Sequence, residues 1–191
     1  MKKIKVVSCA FCKTMNETEL YGFDEEADEE VFDQRVDAMR AHAWTRIVMW
    51  PQLWSEFKTP PNHVWNWNSV PFRRNCAHVI PDDQHGVYTF AIAPRVAQHP
   101  LLYLVTYVGK AEQMTLHDRF LSYFNERRHL KRPHIRNFLR KYDGFVMFSF
   151  CPVTDVSEIS EIEDELISAL IPRLCRQYPS KVSAMVRAFD F

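Results

Sequence analysis

Glu163 is an acidic residue in the middle of an apolar helical face. A final helix is predicted over residues 157–176, and at 100° per residue its apolar side chains form one stripe. These side chains are Ile159, Ile162, Leu166, Ile167, Leu170 and Leu174. A carboxylate on such a face is costly unless it is paired or bound to a metal ion. Glu163 is therefore predicted to be either half of a structural ion pair or a ligand to a cation.

Arg119 and Tyr123 place a cation and a phenol on an inward helical face. They are four residues apart in a helix predicted over residues 115–128, so their side chains point the same way. The same face carries Leu116, Phe120 and Phe124. With Glu163, these residues would bring three polar groups to one region.

Two predicted strands add tyrosine hydroxyls to this set. Alternation places Tyr88 on one side of the first strand and Tyr107 on one side of the second. Their neighbours on those sides are Phe90 and Ile92 in the first strand, and Tyr103 and Val105 in the second. A tyrosine in a strand usually packs in a core, so the interpretation depends on the whole set of residues.

Hydrophobic periodicity predicts the strands and helices that hold these residues. Strands are predicted over residues 85–93, 101–108 and 144–151, and helices over 115–128, 133–142 and 157–176. The order β-β-α-α-β-α predicts an α+β fold, with a small antiparallel three-stranded sheet flanked by helices. An N-terminal α/β extension is predicted at residues 1–80, a domain that contains these elements at 81–178 and a C-terminal tail at 179–191.

The extension is rich in tryptophan. It is predicted to contain a short strand at residues 4–7 and a helix at 30–46, and tryptophans occupy positions 44, 50, 54, 65 and 67. Large aromatic side chains pack in cores, stack on nucleic-acid bases or anchor partners. Core packing is the favoured interpretation, and a protein partner or a homodimer held through this segment is the alternative.

Basic residues are concentrated around the predicted helices, although Lys+Arg and Asp+Glu are both 24. Residues 119–141 hold eight basic residues and one acid, Glu126, which favours contact with phosphates. Substrate binding is therefore predicted for Arg127, Arg128, Lys131 and Arg132.

Composition also bears on the compartment. The longest apolar run, residues 101–108, is too short to span a bilayer, and no long apolar stretch follows the initial Met-Lys-Lys. The five cysteines fit reduced thiols better than a disulfide framework. These features predict a cytoplasmic protein without a membrane partner.

Four cysteine and histidine positions have partial zinc-site spacing. Cys9 and Cys12 would form half of a site, and Cys76 with His78 would supply the other half. The gap of about sixty residues weakens this pairing, and ordinary thiols are the favoured interpretation.

The ordered motifs carry a family resemblance. Gly86-Val87-Tyr88 and Tyr107-Val108-Gly109 resemble the two halves of the GIY-YIG endonuclease signature. Lys110-Ala111 follows as in the N-terminal nuclease domain of the bacterial excision-repair endonuclease of that superfamily. The Arg-x-x-x-Tyr spacing of Arg119 and Tyr123 is similar to that family's first helix, and Glu163-x-x-Leu166-Ile167 with Pro172 resembles its metal-binding helix.

The resemblance implies a metal-dependent endonuclease that hydrolyses phosphodiester bonds in nucleic acid, with DNA favoured over RNA. Glu163 would hold one Mg²⁺ or Mn²⁺ ion, and Arg119 would clamp a phosphate oxygen. Tyr88 would position or deprotonate the attacking water, with Tyr107 and Tyr123 completing the hydrogen-bond network. Lys110 would support the positive field or contact the phosphate.

Three departures accompany the resemblance. The loop between the tyrosine motifs is long, the spacing from Lys110 to Arg119 is stretched by about two residues, and Cys175 stands where the family often has Asn. A catalytically inactive nucleic-acid-binding module is therefore the main alternative. A protein-interaction factor built around the tryptophan segment is the third.

Overall fold

The computed structural model describes residues 49–59, 63–94, 103–126 and 132–188. The strand and helix predicted before residue 49 lie outside the described residues. So do Cys9, Cys12, Trp44, Arg127, Arg128 and Lys131.

The described elements follow the predicted β-β-α-α-β-α order, with one additional helix and one additional strand before it and one additional helix after it. The strands are β1 (Asn68–Pro71), β2 (Gly86–Ile92), β3 (Leu104–Ala111) and β4 (Val146–Pro152). The helices are α1 (Pro51–Ser55), α2 (Leu116–Glu126), α3 (Pro133–Lys141), α4 (Ile159–Leu170) and α5 (Ser180–Ala188). Short 3₁₀ segments cover Arg74–Val79 and Val156–Glu158. None of the helices in these ranges combines the length and apolar character needed to cross a membrane.

The α+β class is confirmed, but the sheet has four strands instead of three. All neighbouring strands are antiparallel and the order is β1-β4-β2-β3. The fourth strand, β1, comes from the region assigned to the N-terminal extension and pairs with β4, with Asn68 opposite Phe150. The segment is short and ends in Pro71, which is tolerated because β1 lies at an edge of the sheet.

Each face of the sheet supports a separate core. On one face, Tyr88, Phe90 and Phe148 pack against side chains of α2 and α3. On the other face, Val87 and Val108 pack against α4 through residues that include Ile162. The alternation of side chains along β2 therefore divides Tyr88 from Val87, as expected for a strand covered on both faces.

The last predicted helix is shorter than expected. α4 ends at Leu170, and Ile171 adopts a left-handed conformation with φ of 43°. Pro172 explains this end, because a proline disfavours the α conformation in the residue before it. Leu174 is not part of the helix, and its backbone N–H donates to the Thr106 carbonyl at 2.8 Å.

The C-terminal segment predicted as a tail contains α5. Val182 and Val186 are buried on this helix. Lys181 on α5 forms an ion pair with Glu56 at 3.5 Å, just after α1. Residues 180–188 are therefore part of the folded unit.

Candidate active site

Three side chains from β2 and α2 form a hydrogen-bonded cluster inside the first core. The Tyr88 and Tyr123 hydroxyl oxygens are 2.7 Å apart, and Arg119 Nε donates to the Tyr88 hydroxyl at 2.9 Å. Both tyrosines are completely buried. The prediction that Arg119 and Tyr123 share an inward face is confirmed, and the structure brings both to Tyr88.

Gly109 provides the space for this cluster. It pairs with Tyr88 across β2 and β3. A Cβ atom at position 109 would lie 2.5 Å from the Tyr88 hydroxyl and 2.7 Å from Tyr88 Cζ. The glycine in Tyr107-Val108-Gly109 is therefore required by a side chain on the neighbouring strand.

The two buried phenols resist ionisation. Burial raises the pKa of Tyr88 well above its usual value, and the nearby Arg119 only partly offsets this. Burial also raises the pKa of Tyr123. The base role considered for Tyr88 requires a lowered pKa, so this geometry instead favours Tyr88 as the residue that positions Arg119.

Tyr107 lies beside the buried cluster without being enclosed by it. Its ring centroid is 6.2 Å from that of Tyr88. The Tyr107 side chain is half-buried, whereas Tyr88 and Tyr123 have no exposed surface. Of the three predicted tyrosines, only Tyr107 is accessible to a substrate or water.

Glu163 is held in an ion pair with Lys110. Lys110 Nζ lies 3.3 Å from Glu163 Oε2 and 3.5 Å from Glu112 Oε2, and it also donates to Ser160 Oγ. Burial raises the pKa of Glu163, and the charge of Lys110 partly counteracts that rise. The ion-pair interpretation of Glu163 is therefore shown, and the metal-ligand interpretation stays a prediction.

Sequence reasoning missed Ser160 and Glu112. Ser160 is three residues before Glu163, one helical turn away, and Glu112 follows Lys110 by two residues. The Ser160 hydroxyl also donates to Glu112 at 3.3 Å. The i, i+3 spacing on a helix was the available signal for Ser160, but which lysine it contacts depends on how α4 packs on β3.

The two clusters are close enough to interact electrostatically. The charge of Arg119 favours the ionised form of Glu163, in addition to the larger effects of burial and Lys110. β3 contributes to both clusters, through Gly109 to the first and through Lys110 to the second. Tyr88, Tyr123 and Arg119 therefore form one cluster, Lys110 and Glu163 form another, and β3 contributes to both.

The carboxylate oxygens of Glu163 and Glu112 can be compared with the ligands that a metal ion requires. In the four described ranges, no group of three or more His, Cys, Asp or Glu side chains converges to hold a metal. Glu163 and Glu112 are hard oxygen donors on either side of the Lys110 ammonium. This set fits an ion such as Mg²⁺, which keeps several of its waters and needs only one or two carboxylates.

Cys175 is a core residue. Its thiol donates to the Val108 carbonyl at 3.5 Å, and it packs in the second core. Burial raises the pKa of the Cys175 thiol to about 12. The thiol that stands where the family often has Asn is therefore protonated and enclosed.

Two of the four positions with zinc-like spacing are described. Cys76 is completely buried, and its sulfur lies 3.6 Å from Asn75 Oδ1. His78 is exposed, and its Nδ1 lies 2.7 Å from the Asn75 carbonyl. The described half shows no arrangement that favours zinc over ordinary polar contacts.

The described tryptophans are mainly packing residues. Trp65 and Trp67 stack with centroids 6.0 Å apart and planes at 3°, and both pack against the second core. Trp54 is about half exposed, and its indole N–H donates to the Ala169 carbonyl at 2.8 Å. The favoured core interpretation is supported for Trp65 and Trp67.

Of the predicted substrate-binding residues, Lys110 and Arg132 are described. Lys110 is engaged by Glu163, and the Arg132 guanidinium carbon lies 5.1 Å from the centroid of the Tyr123 ring.

Comparison with known proteins gives no relative. No family model matches the chain, no curated protein matches it, and no solved structure matches its fold. The GIY-YIG resemblance therefore rests on the motifs, and what it implies is a proposal.

Proposed function

We propose that the protein is a metal-dependent endonuclease of the GIY-YIG type that hydrolyses phosphodiester bonds, with DNA as the favoured substrate. The observation that carries this proposal is the pair of polar clusters that share β3. Arg119 is hydrogen-bonded to Tyr88, which contacts Tyr123, and Glu163 is paired with Lys110. The first cluster supplies a cation for a phosphate, and the second supplies a carboxylate for a metal ion.

Arg119 would bind a non-bridging oxygen of the scissile phosphate. Its Nε is used by the Tyr88 hydroxyl, and this is the only hydrogen bond of the guanidinium among the described residues. The terminal amino groups therefore make no protein hydrogen bond in that part of the chain. Tyr88 and Tyr123 act as positioning residues, because their buried hydroxyls hold the guanidinium at the site.

Tyr107 would position the attacking water. It is the one accessible phenol of the three, since Tyr88 and Tyr123 are enclosed. In the reaction, the water oxygen bonds to phosphorus, the bond from phosphorus to the sugar oxygen breaks, and the water proton passes to solvent while the leaving oxygen takes up a proton. Tyr107 can direct that water by hydrogen bonding.

Glu163 would hold one Mg²⁺ or Mn²⁺ ion with retained waters, and Glu112 is the nearest second carboxylate. A bound divalent ion supplies Lewis-acid stabilisation of charge on the phosphoryl and leaving oxygens. Lys110 keeps the Glu163 carboxylate charged in a half-buried position. Its remaining contacts to Ser160 and Glu112 hold its ammonium at the site.

The test is cleavage of supercoiled, linear, branched and single-stranded DNA and of RNA, with Mg²⁺, Mn²⁺ or EDTA. Glu163→Gln and Arg119→Gln should each reduce cleavage by about 100-fold or more. Glu161→Gln is the matched control, because Glu161 is exposed on the outer face of the same helix. An unchanged rate in Glu163→Gln, or wild-type cleavage in EDTA, would refute the proposal.

A binding module without turnover is the second candidate. The ion pair of Lys110 with Glu163 and the enclosed Cys175 thiol both favour it. It predicts nucleic-acid binding in wild type and in Glu163→Gln alike, with no metal-dependent products on any substrate of the panel.

A further inference from the structure

Helix α3 carries a line of arginines that the proposed chemistry does not use. Arg132, at the N-cap, is followed by Arg136 and Arg140 at intervals of four residues. Each interval turns the side chain by only about 40° and advances it by about 6 Å along the helix. No acidic residue occurs between positions 132 and 141. We call these three residues the arginine stripe.

The stripe lies beside the buried face of α3. Ile135, Phe138 and Leu139 pack into the first core, so the other side of the helix faces outward. Arg140 is exposed. The terminal nitrogen Nη2 of Arg136 donates to Oδ1 of the neighbouring Asn137 at 3.3 Å. Arg136 forms no ion pair within the described ranges.

The stripe begins at the candidate active site. The guanidinium carbons of Arg132 and Arg119 lie 5.1 Å and 5.5 Å from the centroid of the same Tyr123 ring. Arg132 is therefore the member of the stripe next to Arg119, and the stripe extends away from that point along α3.

The helix dipole accounts for only part of this pattern. Cations near a helix C-terminus are favourable, which explains Arg140 and the following Lys141. Arg132 and Arg136 lie at the opposite end, where cations are unfavourable and acids would be expected. The first turn of α3 contains no acid. The helix dipole therefore does not explain the cations at this end of α3.

We infer that the arginine stripe binds the sugar-phosphate backbone of the strand whose scissile phosphate lies at Arg119. The inference rests on the proposed nucleic-acid substrate. The inference adds the path of the bound strand to that proposal. The strand leaves the active site along α3 and crosses Arg132, Arg136 and Arg140 in turn. Contacts to successive phosphates fix the register of a strand without reading its bases.

The experiment measures binding of labelled single-stranded and duplex DNA in EDTA over a series of salt concentrations. Each lost phosphate contact lowers the slope of log affinity against log salt by about 0.9 for duplex and about 0.7 for single strands. Arg136→Gln/Arg140→Gln should therefore lower the slope by about 1.8 and about 1.4, and weaken binding by about tenfold at low salt.

The control is Lys181→Gln/Arg187→Gln, which removes two exposed charges from α5. Lys181 connects α5 to Glu56, just after α1. Trp54 of α1 donates to α4, and α4 packs on the sheet face opposite α3. The salt slope of this control variant should equal that of wild type. Circular dichroism of both double variants establishes that they are folded.

Three results would overturn the inference: an unchanged slope in the α3 variant, an equal loss in the α5 control, or no binding by wild type. The proposed nuclease is judged separately by cleavage. If the protein cuts DNA with metal but the α3 variant keeps the wild-type slope, only the inference about the arginine stripe is wrong. If the α3 variant has a lower slope but the wild type does not cut, only the nuclease proposal is wrong.

Discussion

Lys110 Nζ lies 3.3 Å from Glu163 Oε2 and so connects β3 to α4 at the candidate site. A divalent ion at Glu163 must share this carboxylate with the ammonium or displace it. The lysine is also bound by Ser160 and Glu112, so it can leave Glu163 without losing every acceptor.

Replacing Lys110 should separate metal binding from turnover. Lys110→Gln removes a competing cation, so Mn²⁺ affinity should rise by about two- to fivefold, the range expected of a partly exposed ion pair. Cleavage should fall, because the positive charge beside the phosphate is lost. Calorimetric titration with Mn²⁺ and a cleavage assay measure the two effects.

The control for this change is Lys181→Gln, which breaks an ion pair with Glu56 that does not involve Glu163. Neither Mn²⁺ affinity nor cleavage should change in that variant. Weaker Mn²⁺ binding in Lys110→Gln would contradict the competition between the ammonium and the metal.

Glu163 should oppose folding at neutral pH when no metal is present. Burial raises the pKa of Glu163, with Lys110 only partly offsetting it. An acid whose pKa is higher in the folded state favours folding when protonated. That stability is fully present below the unfolded pKa of about 4.3 and is lost as pH rises through the folded pKa.

Glu163→Gln should therefore melt at a higher temperature than wild type at neutral pH in EDTA, and the difference should shrink towards pH of about 4. Differential scanning calorimetry at both pH values measures this. Glu161→Gln, on the exposed face, should melt like wild type. A lower melting temperature for Glu163→Gln at neutral pH would show that the ion pair outweighs the burial cost.

Gly109→Ala should disrupt the buried tyrosine cluster. The new Cβ would lie 2.5 Å from the Tyr88 hydroxyl, and Tyr88 cannot shift freely because it stacks on Phe148 with centroids 5.1 Å apart. We expect a loss of about 1–3 kcal/mol in the free energy of unfolding, as for other overpacked cores. Urea denaturation measures it.

A second variant tests the cause of that loss. Tyr88→Phe/Gly109→Ala removes the hydroxyl but leaves the ring carbon, so the two changes should be less than additive. Additive losses, or wild-type stability in Gly109→Ala, would show that the two residues do not crowd each other.

Alkaline pH should unfold the protein as its buried phenols ionise. Burial raises the pKa of Tyr88 and Tyr123, and it raises the pKa of Tyr178 to about 12. An unfolded tyrosine has a pKa of about 10. The stability due to these groups is therefore complete below about pH 10 and is lost as pH rises through the folded values.

Tyrosinate absorbance and far-UV circular dichroism, recorded over the same alkaline titration, should show the last tyrosines ionising together with loss of helix signal. Ionisation of all seven tyrosines with an unchanged dichroism spectrum would mean that Tyr88 and Tyr123 are not enclosed.

Local periodicity determined which side of each element the polar residues occupy. The four-residue spacing of Arg119 and Tyr123 and the alternation around Tyr88 follow from the geometry of a helix and a strand. These predictions hold in the structure, as do the α+β class and the order of the predicted elements. Pro172 also indicates an end of the helix near Ile171. The helix was predicted to continue to residue 176 because Leu174 fits the apolar spacing.

Contacts between distant segments were decided by the tertiary structure alone. The pairing of β1 with β4 depends on which sheet edge is available, and no local pattern in residues 68–71 indicates it. The partners of Lys110 depend on how α4 packs against β3. The raised pKa of Tyr88 depends on complete burial. Sequence spacing specifies the direction of a side chain, whereas its partners and its solvation depend on packing between elements far apart in the chain.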